Sequence, residues 1–143
     1  MDEKIKKMNL AISRINATYA KWHEGMSVSG ARQQVLLALA AEPGISQKDI
    51  VSSYLVPKQT VSKEIHLMQE EGLLELLPDD EDKRGKKIVM TEKGQKYTEE
   101  ILQPYFDMES RIEKRMNPRA YRQMIDGLTV YADALGQEVN HER

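Results

Sequence analysis

With 143 residues, the chain is long enough for one domain with a buried core and short for two. Its 40% hydrophobic and 31% charged residues exclude a disordered chain, and no apolar run approaches the roughly 20 residues that span a bilayer, so we expect no membrane partner. The absence of cysteine excludes disulfides and thiol-based redox sensing, and the net charge of −2 gives no support for nucleic acid as a partner.

The chain begins with a predicted helix rather than a targeting segment. Its first four residues lack the basic-then-apolar pattern of a signal peptide, so we expect a cytoplasmic protein. The first helix, over 4–23, carries apolar side chains at alternating steps of three and four, which form one apolar seam: Ile5, Met8, Ile12, Ile15, Tyr19 and Trp22.

A second helix, over 31–42, is rich in alanine and leucine and ends at Pro43 and Gly44.

The middle of the chain has the order of elements of a winged helix-turn-helix. A short helix is predicted from Ser46, with Asp49 three residues later as in a capping pattern, and a second helix follows a break at residues 56–57. Two strands, 73–77 and 87–91, are joined by a charged loop. In such a module the second helix reads the major groove of DNA and the hairpin tip reaches the neighbouring groove or the backbone.

Two long helices are predicted after the hairpin. Thr91 is a suitable N-cap for a helix that runs to about Met116 and that Pro104 should kink. Asn117 followed by Pro118 then starts the last helix. The predicted fold is mainly α with a small β-hairpin. The apolar face of the longer helix is Tyr97, Ile101, Tyr105, Met108 and Ile112, and the seam of the last helix is Tyr121, Met124, Leu128, Tyr131, Leu135 and Val139.

The terminal helices are predicted to form a homodimer. A small winged lobe can bury only one side of such helices, so their remaining apolar faces need a partner. A dimer would also read two DNA half-sites about one helical turn apart. The alternative is that these helices close a monomeric core. The predicted interface comprises Ile5, Met8, Ile12, Tyr121, Met124, Leu128, Tyr131 and Leu135.

The predicted DNA contacts lie on the helix-turn-helix and in the hairpin loop. Residues 46–91 contain seven basic and nine acidic side chains, so DNA binding requires the basic and the acidic side chains to lie on different faces of the lobe. The side opposite these contacts is expected to pack inward, at Val61, Ile65, Met68 and Leu73. The alternative for the polar side is a solvated helix face. The predicted contacts are Ser46, Gln47, Lys58, Gln59, Thr60, Ser62, Lys63, His66, Lys83, Arg84 and Lys86.

Within the loop, Arg84 is the residue best suited to a minor groove, which favours a planar and weakly hydrated cation. Asp82 can hold its guanidinium by a charge-assisted hydrogen bond, and Gly85 gives the turn conformational freedom. The alternative is a solvated charged turn.

Other function classes find little support. No phosphate-cradling glycine loop and no nucleophile beside a base is present, so we expect no enzyme. The three histidines, His23, His66 and His141, form no cluster at ligand spacing, so we expect no metal and no cofactor.

At two places the chain resembles the MarR family of bacterial transcription regulators. Residues 82–94 are similar to its wing signature, in which Asp-x-Arg is followed by a strand and then by Thr-x-x-Gly. Residues 46–50 and 57–62, together with the Glu-Gly-Leu-Leu run at 71–74, resemble its two reading helices. The flanking helices match the family's order, so the resemblance covers nearly the whole chain. It implies one MarR-like domain over 1–143, with a winged lobe at 31–94 and dimerisation arms at 1–24 and 95–143.

The resemblance also implies a function. It suggests a homodimeric regulator of a pseudo-palindromic operator in double-stranded DNA, a repressor released by a small aromatic or phenolic ligand. The alternative is a winged-helix protein-interaction module without sequence-specific DNA binding. Two departures from the family are Gln34, where many members have an aromatic residue, and a Leu-Leu pair at 76–77, where a basic residue often precedes the wing.

A ligand pocket is expected at the end of the first helix, near the position that the resemblance implies. The alternative is that these side chains belong to the core. The candidates are Tyr19, Trp22, His23 and Met26.

Overall fold

The structure, a computed structural model, describes residues 1–54, 56–81 and 85–141. Within these ranges the chain forms six helices and one antiparallel hairpin, which confirms the predicted fold class. The chain divides into two compact units, Met1–Leu102 and Gln103–Arg143. The elements in order are α1 Glu3–Glu24, α2 Gly30–Ala41, α3 Gln47–Tyr54, α4 Lys58–Glu70, β1 Leu74–Pro78, β2 Lys86–Met90, α5 Glu92–Met116 and α6 Pro118–His141.

The core of the first unit lies between α2, α3, α4 and the hairpin. The predicted inward side of α4 is confirmed, since Val61, Ile65 and Met68 are all buried. Spaced at four and three residues, they form one stripe of the helix, which leaves its opposite side in solvent. The core residues are Val35, Leu36, Ala38, Leu39, Ile45, Ile50, Val56, Val61, Ile65, Met68, Leu73, Leu74, Ile88 and Leu102.

The hairpin pairs Leu74 with Met90 and Pro78 with Lys86. On the side of β2 away from β1, the Ile88 N–H donates to the carbonyl of Ile45 at 3.2 Å, so the segment before α3 covers that edge. The predicted strand limits, 73–77 and 87–91, were wrong by one residue at each end. Leu73 instead closes the end of α4 by donating to the Met68 carbonyl at 2.9 Å.

Three predicted helix caps are confirmed. The Ser46 hydroxyl accepts from the Asp49 N–H at 3.1 Å, the Thr91 hydroxyl accepts from the Gly94 N–H at 3.0 Å, and the Asn117 side-chain oxygen accepts from the Ala120 N–H at 2.9 Å. Each side chain satisfies a backbone donor that has no partner within its helix. Local chemistry therefore determines where α3, α5 and α6 begin.

The first turn of α5 approaches the chain that leaves α4 very closely. A side chain at Gly94 would collide with the backbone carbonyl of Leu73, so only glycine fits there. The buried side of α5 is Gly94, Thr98 and Leu102, whereas the predicted apolar face is only half-buried. Tyr97 and Ile101 of the predicted face do pack against the core, but the fully buried stripe lies one residue further round the helix and includes a glycine and a threonine, which apolar periodicity ignores.

The second unit contains the rest of α5 and all of α6. The Tyr121 hydroxyl donates to a carboxylate oxygen of Glu109 at 2.8 Å, which joins the two helices. This hydrogen bond and partial burial raise the pKa of Tyr121 to about 12. Pro104 lies inside α5 and its kink stays a prediction.

Neither α1 nor α6 buries a residue within the single chain. Their predicted seams are largely exposed, with Ile5 at 55% and Leu128 at 54%. Among the described residues no helix is both long and apolar enough to cross a membrane.

Candidate nucleic-acid interface

The solvent side of α4 forms an open polar hollow of about 560 Å³. We refer to the residues that line it, Lys58, Gln59, Ser62, Lys63 and His66, as the polar face. All five are exposed and all are predicted DNA contacts. The hollow thus brings together two ammonium groups, an amide, a hydroxyl and an imidazole, a set that can donate to phosphates and base edges.

The remaining predicted contacts are placed differently. Thr60 is half-buried and does not line the hollow. Ser46 and Gln47, at the start of α3, are half-buried, and the Ser46 hydroxyl is occupied by its capping bond. Lys86 is exposed at the first position of β2, beside the hairpin loop.

The tip of the predicted wing lies outside the described residues, and it includes Asp82, Lys83 and Arg84. At its base, the Asp79 N–H donates to the Gly85 carbonyl at 3.3 Å, and the Asp79 carboxylate accepts from the Glu81 N–H at 3.0 Å.

Arg32 neutralises part of the acidic charge of α4. Its Nε donates to Glu64 at 2.7 Å, and its Nη1 donates to Glu71 at 3.2 Å and to the Tyr97 hydroxyl at 3.0 Å. Burial alone would lower the pKa of Arg32, but the hydrogen bonds to Glu64, Tyr97 and Glu71 outweigh it and raise that pKa, so the group stays charged. Two of the nine acidic groups counted in residues 46–91 therefore face Arg32 and not the hollow. No pattern in the sequence predicted this arrangement.

One acidic residue does adjoin the polar face. His66 Nε2 lies 3.2 Å from a carboxylate oxygen of Glu70, one turn further along α4, and both side chains are exposed. An exposed pair of this kind contributes little to stability, but it places a negative charge beside a predicted DNA contact.

Replacing Glu70 with glutamine should therefore tighten DNA binding, by about two- to fivefold. The change removes one negative charge and releases His66, while the length of the side chain is kept. Fluorescence anisotropy with a labelled duplex at about 0.1 M salt would measure it. Glu99→Gln, an equal charge change on the exposed side of α5 outside the hollow, should leave affinity nearly unchanged. Weaker binding by Glu70→Gln would instead show that Glu70 orients His66 toward DNA.

The four candidate pocket residues, Tyr19, Trp22, His23 and Met26, are each half-buried. The rings of Trp22 and His23 meet edge to face at 5.2 Å. His23 Nδ1 and the side-chain oxygen of Gln33, a buried residue of α2, are both buried without a hydrogen-bond partner among the described residues. Sequence reasoning missed Gln33, although a glutamine in an Ala/Leu-rich helix was a visible signal.

A second hollow, of about 480 Å³, was not predicted. It lies between the end of α2, β2 and the first turns of α5, and is lined mainly by apolar residues such as Leu39, Pro43, Ile88 and Met90. Among the described residues no group of three or more His, Asp or Glu side chains could hold a metal ion.

The first unit contains a helix, a turn, a second helix and a hairpin around one core, and the second helix has a polar face with two lysines. This arrangement defines a winged helix-turn-helix protein. Residues 26–85, somewhat less than half of the chain, match the model of the MarR family. The resemblance to the MarR family is thereby confirmed. The MarR family is one of transcription regulators, which agrees with the prediction that this chain is not an enzyme.

Individual relatives agree with the family match. An uncharacterised HTH-type transcriptional regulator of Bacillus subtilis (strain 168), YybA, is 33% identical over 61 residues, which are 43% of this chain and 41% of YybA. The matched segment thus spans about two fifths of that curated relative.

The fold extends beyond the matched segment. The structure of NMB1585, a MarR family regulator from Neisseria meningitidis, superposes with a TM-score of 0.82 at 21% identity and covers 100% of both chains. A complex of MepR from S. aureus with DNA superposes with a TM-score of 0.67 at 20% identity, over 94% of this chain and 99% of that one. At such identities the likeness shows a shared fold.

Proposed function

We propose that this protein is a dimeric, sequence-specific DNA-binding transcriptional regulator. The observation that carries the proposal is the polar face of α4, which gathers Lys58, Gln59, Ser62, Lys63 and His66 in one hollow. The fold supports it, because the second helix of a winged helix-turn-helix is the element that enters the major groove. Glutamine can pair with adenine, and lysine with guanine or phosphate.

The local charge also supports DNA as the partner. Glu64 and Glu71 form ion pairs with Arg32, so these two acidic side chains of the lobe do not lie on the polar face. The hairpin adds Lys86, and we keep Lys83 and Arg84 as wing contacts with Asp82 as the support of Arg84. A DNA-binding regulator works where the chromosome is, so we place this protein in the cytoplasm.

The dimer is proposed from the exposed seams of α1 and α6. Apolar side chains such as Ile5, Met8, Leu128 and Leu135 are between 39% and 55% exposed in the single chain. Covering them removes apolar surface from water, and two copies would present two α4 helices to one pseudo-palindromic operator. We propose that residues 1–143 act as one domain, with 1–24 and 95–143 as the dimerisation arms of the lobe at 31–94.

Repression and release by a small aromatic or phenolic effector form the finer part of the proposal. Trp22 and His23 form a half-buried aromatic pair, and His23 Nδ1 and the Gln33 side-chain oxygen are buried without a hydrogen-bond partner among the described residues. This is the composition of a small-molecule site. A titration of the DNA complex with phenolic carboxylates tests for such an effector.

A protein-interaction module is the second candidate function. The exposed acidic residues before the wing, Asp80 and Glu81, favour it, because they would repel DNA and suit a basic protein surface.

Selection of bound sequences from a random duplex pool at about 0.1 M salt tests the proposal. We expect an inverted repeat whose half-sites lie about 10 base pairs apart. Affinity for it should fall by about 10³- to 10⁵-fold between 50 and 200 mM salt if six to ten phosphates are contacted. A Lys58→Gln/Lys63→Gln variant should keep its fold and reduce the salt slope by about two. Enrichment of no sequence would favour the protein-interaction module.

A further inference from the structure

The Arg32 network, which consists of Arg32, Glu64, Glu71 and Tyr97, joins three helices through one guanidinium. Arg32 belongs to the first turn of α2, Glu64 to the middle of α4, and Tyr97 to α5, while Glu71 follows the last residue of α4. The side chains of Arg32 and Glu64 are each only 13% exposed. All four residues lie in the unit Met1–Leu102.

The C-terminal end of α4 is held by a separate set of bonds to the start of α5. The Thr91 hydroxyl donates to the Gly72 carbonyl at 2.7 Å, and the Thr91 N–H donates to the Leu73 carbonyl at 3.0 Å. Lys93 Nζ donates to the Glu71 carbonyl at 2.8 Å. These bonds fix one point of the α4 axis.

Glu64 provides a second polar attachment further along the same helix. It lies seven residues before Glu71, about 10 Å along the axis at about 1.5 Å per residue. Its carboxylate is bound by Arg32 at 2.7 Å. Two fixed points determine the direction of a helix axis, whereas apolar packing alone tolerates small rotations.

The polar face amplifies any change in that direction. Lys58 lies about 20 Å from Glu71 along α4, so a rotation of about 5° around the C-terminal attachment moves Lys58 by almost 2 Å. Base recognition requires placement within about 0.5 Å. A small rotation of α4 should therefore weaken sequence-specific recognition while the fold stays intact.

We propose that Arg32 is a positioning residue for DNA recognition, and that its bonds to Glu64 and Tyr97 set the orientation of α4 without contacting DNA. This inference rests on the proposed function. Arginine suits the task because its rigid fork reaches Glu64 with one nitrogen and Tyr97 with another, which a single ammonium group cannot reproduce. A buried ion pair is weak evidence for net stability, so the role that we assign to this pair is geometric.

Tyr97→Phe and Arg32→Lys test the proposal on the full-length protein. The first removes one hydroxyl, and the second keeps the charge but loses the fork. We expect Tyr97→Phe to weaken binding to the selected operator about fivefold and Arg32→Lys about tenfold or more. Binding to random-sequence duplex and its salt dependence should stay as in wild type, because the polar face itself is intact.

Tyr54→Phe is the matched control. Tyr54 is a half-buried tyrosine packed against the same core, and its hydroxyl is not part of the Arg32 network. The control should keep the wild-type ratio of operator to random-DNA affinity. Equal losses on both DNAs, or an unchanged ratio in both network variants, would overturn the positioning role.

Hydrogen exchange of residues 61–66, whose N–H groups can donate within α4, is measured without DNA and separates this inference from the proposed function. Faster exchange in Tyr97→Phe and Arg32→Lys than in Tyr54→Phe is expected, because Tyr97→Phe removes one of the groups that hold Arg32 and Arg32→Lys disrupts the bond to Glu64 itself. If wild type shows no sequence preference, the proposed function fails, and the exchange rates alone decide whether Arg32 orients α4. Unchanged exchange there would overturn the inference.

Discussion

Replacing Gly94 with alanine should lower the free energy of unfolding by about 2–3 kcal/mol. The added methyl group would meet the backbone carbonyl of Leu73, which cannot rotate away as a side chain can. Either α5 or the turn after α4 must shift, and the bonds from Thr91 to Gly72 and Leu73 would shift with it. DNA affinity should fall as well, because these bonds hold the end of α4.

Urea unfolding followed by circular dichroism, at one fixed protomer concentration, would measure this change. Gly136→Ala is the matched control, since Gly136 lies inside α6 and has nothing within 4 Å of the added methyl group. At such a helical position alanine should stabilise the protein by about 0.5–1 kcal/mol. The free energy of unfolding should thus fall in Gly94→Ala and rise in Gly136→Ala. A Gly94→Ala protein as stable as wild type would contradict the close approach of α5 to Leu73.

Replacing Leu128 with glutamate should raise the dissociation constant of the dimer by on the order of a hundredfold or more. Leu128 is 54% exposed in the single chain and occupies the centre of the α6 seam. A dimer with twofold symmetry would bury the new carboxylate twice, without a cationic partner designed for it. Binding to an operator with two half-sites should weaken in parallel, because only the proposed dimer links two α4 helices.

Val130→Glu is the control for that experiment. Val130 is 69% exposed and lies about 200° around α6 from Leu128, on the opposite side of the helix. It carries the same change of charge and should leave the dimer intact. Analytical ultracentrifugation would give both dissociation constants. Monomeric Leu128→Glu protein that binds the full operator as tightly as wild type would contradict the dimer proposal.

Local chemistry made most of the fold predictable from the sequence. The caps at Ser46, Thr91 and Asn117 fix helix starts through bonds that span three residues. The inward stripe of α4 follows from spacing alone. The strand limits were shifted because Leu73 completes the end of α4 after Gly72, whose φ of +74° only glycine adopts easily.

The site was predictable only where its residues share one helix. The polar face of α4 follows from the residues opposite the apolar stripe. The Arg32 network joins residues that are 32, 39 and 65 positions apart, and no local pattern encodes such contacts. Gly94 was visible within the Thr-x-x-Gly motif, but its function depends on how closely α5 approaches Leu73, which spacing does not reveal.

The hairpin register also bears on aggregation. The bond from Ile88 to Ile45 covers the outer edge of β2, so β1 is the strand that keeps an open edge among the described residues. Because the Ile88 N–H points to Ile45, the paired residues Leu76 and Ile88 form no hydrogen bonds with each other, and the backbone N–H and C=O of Leu76 point to the open edge. The orientation repeats every two residues, so the nitrogen of Pro78 also lies on the open edge. Proline offers no N–H there, and the charged, exposed Glu75 discourages an added strand. Self-association through the sheet, a common route to insoluble protein, is thus opposed at the one edge where it could start.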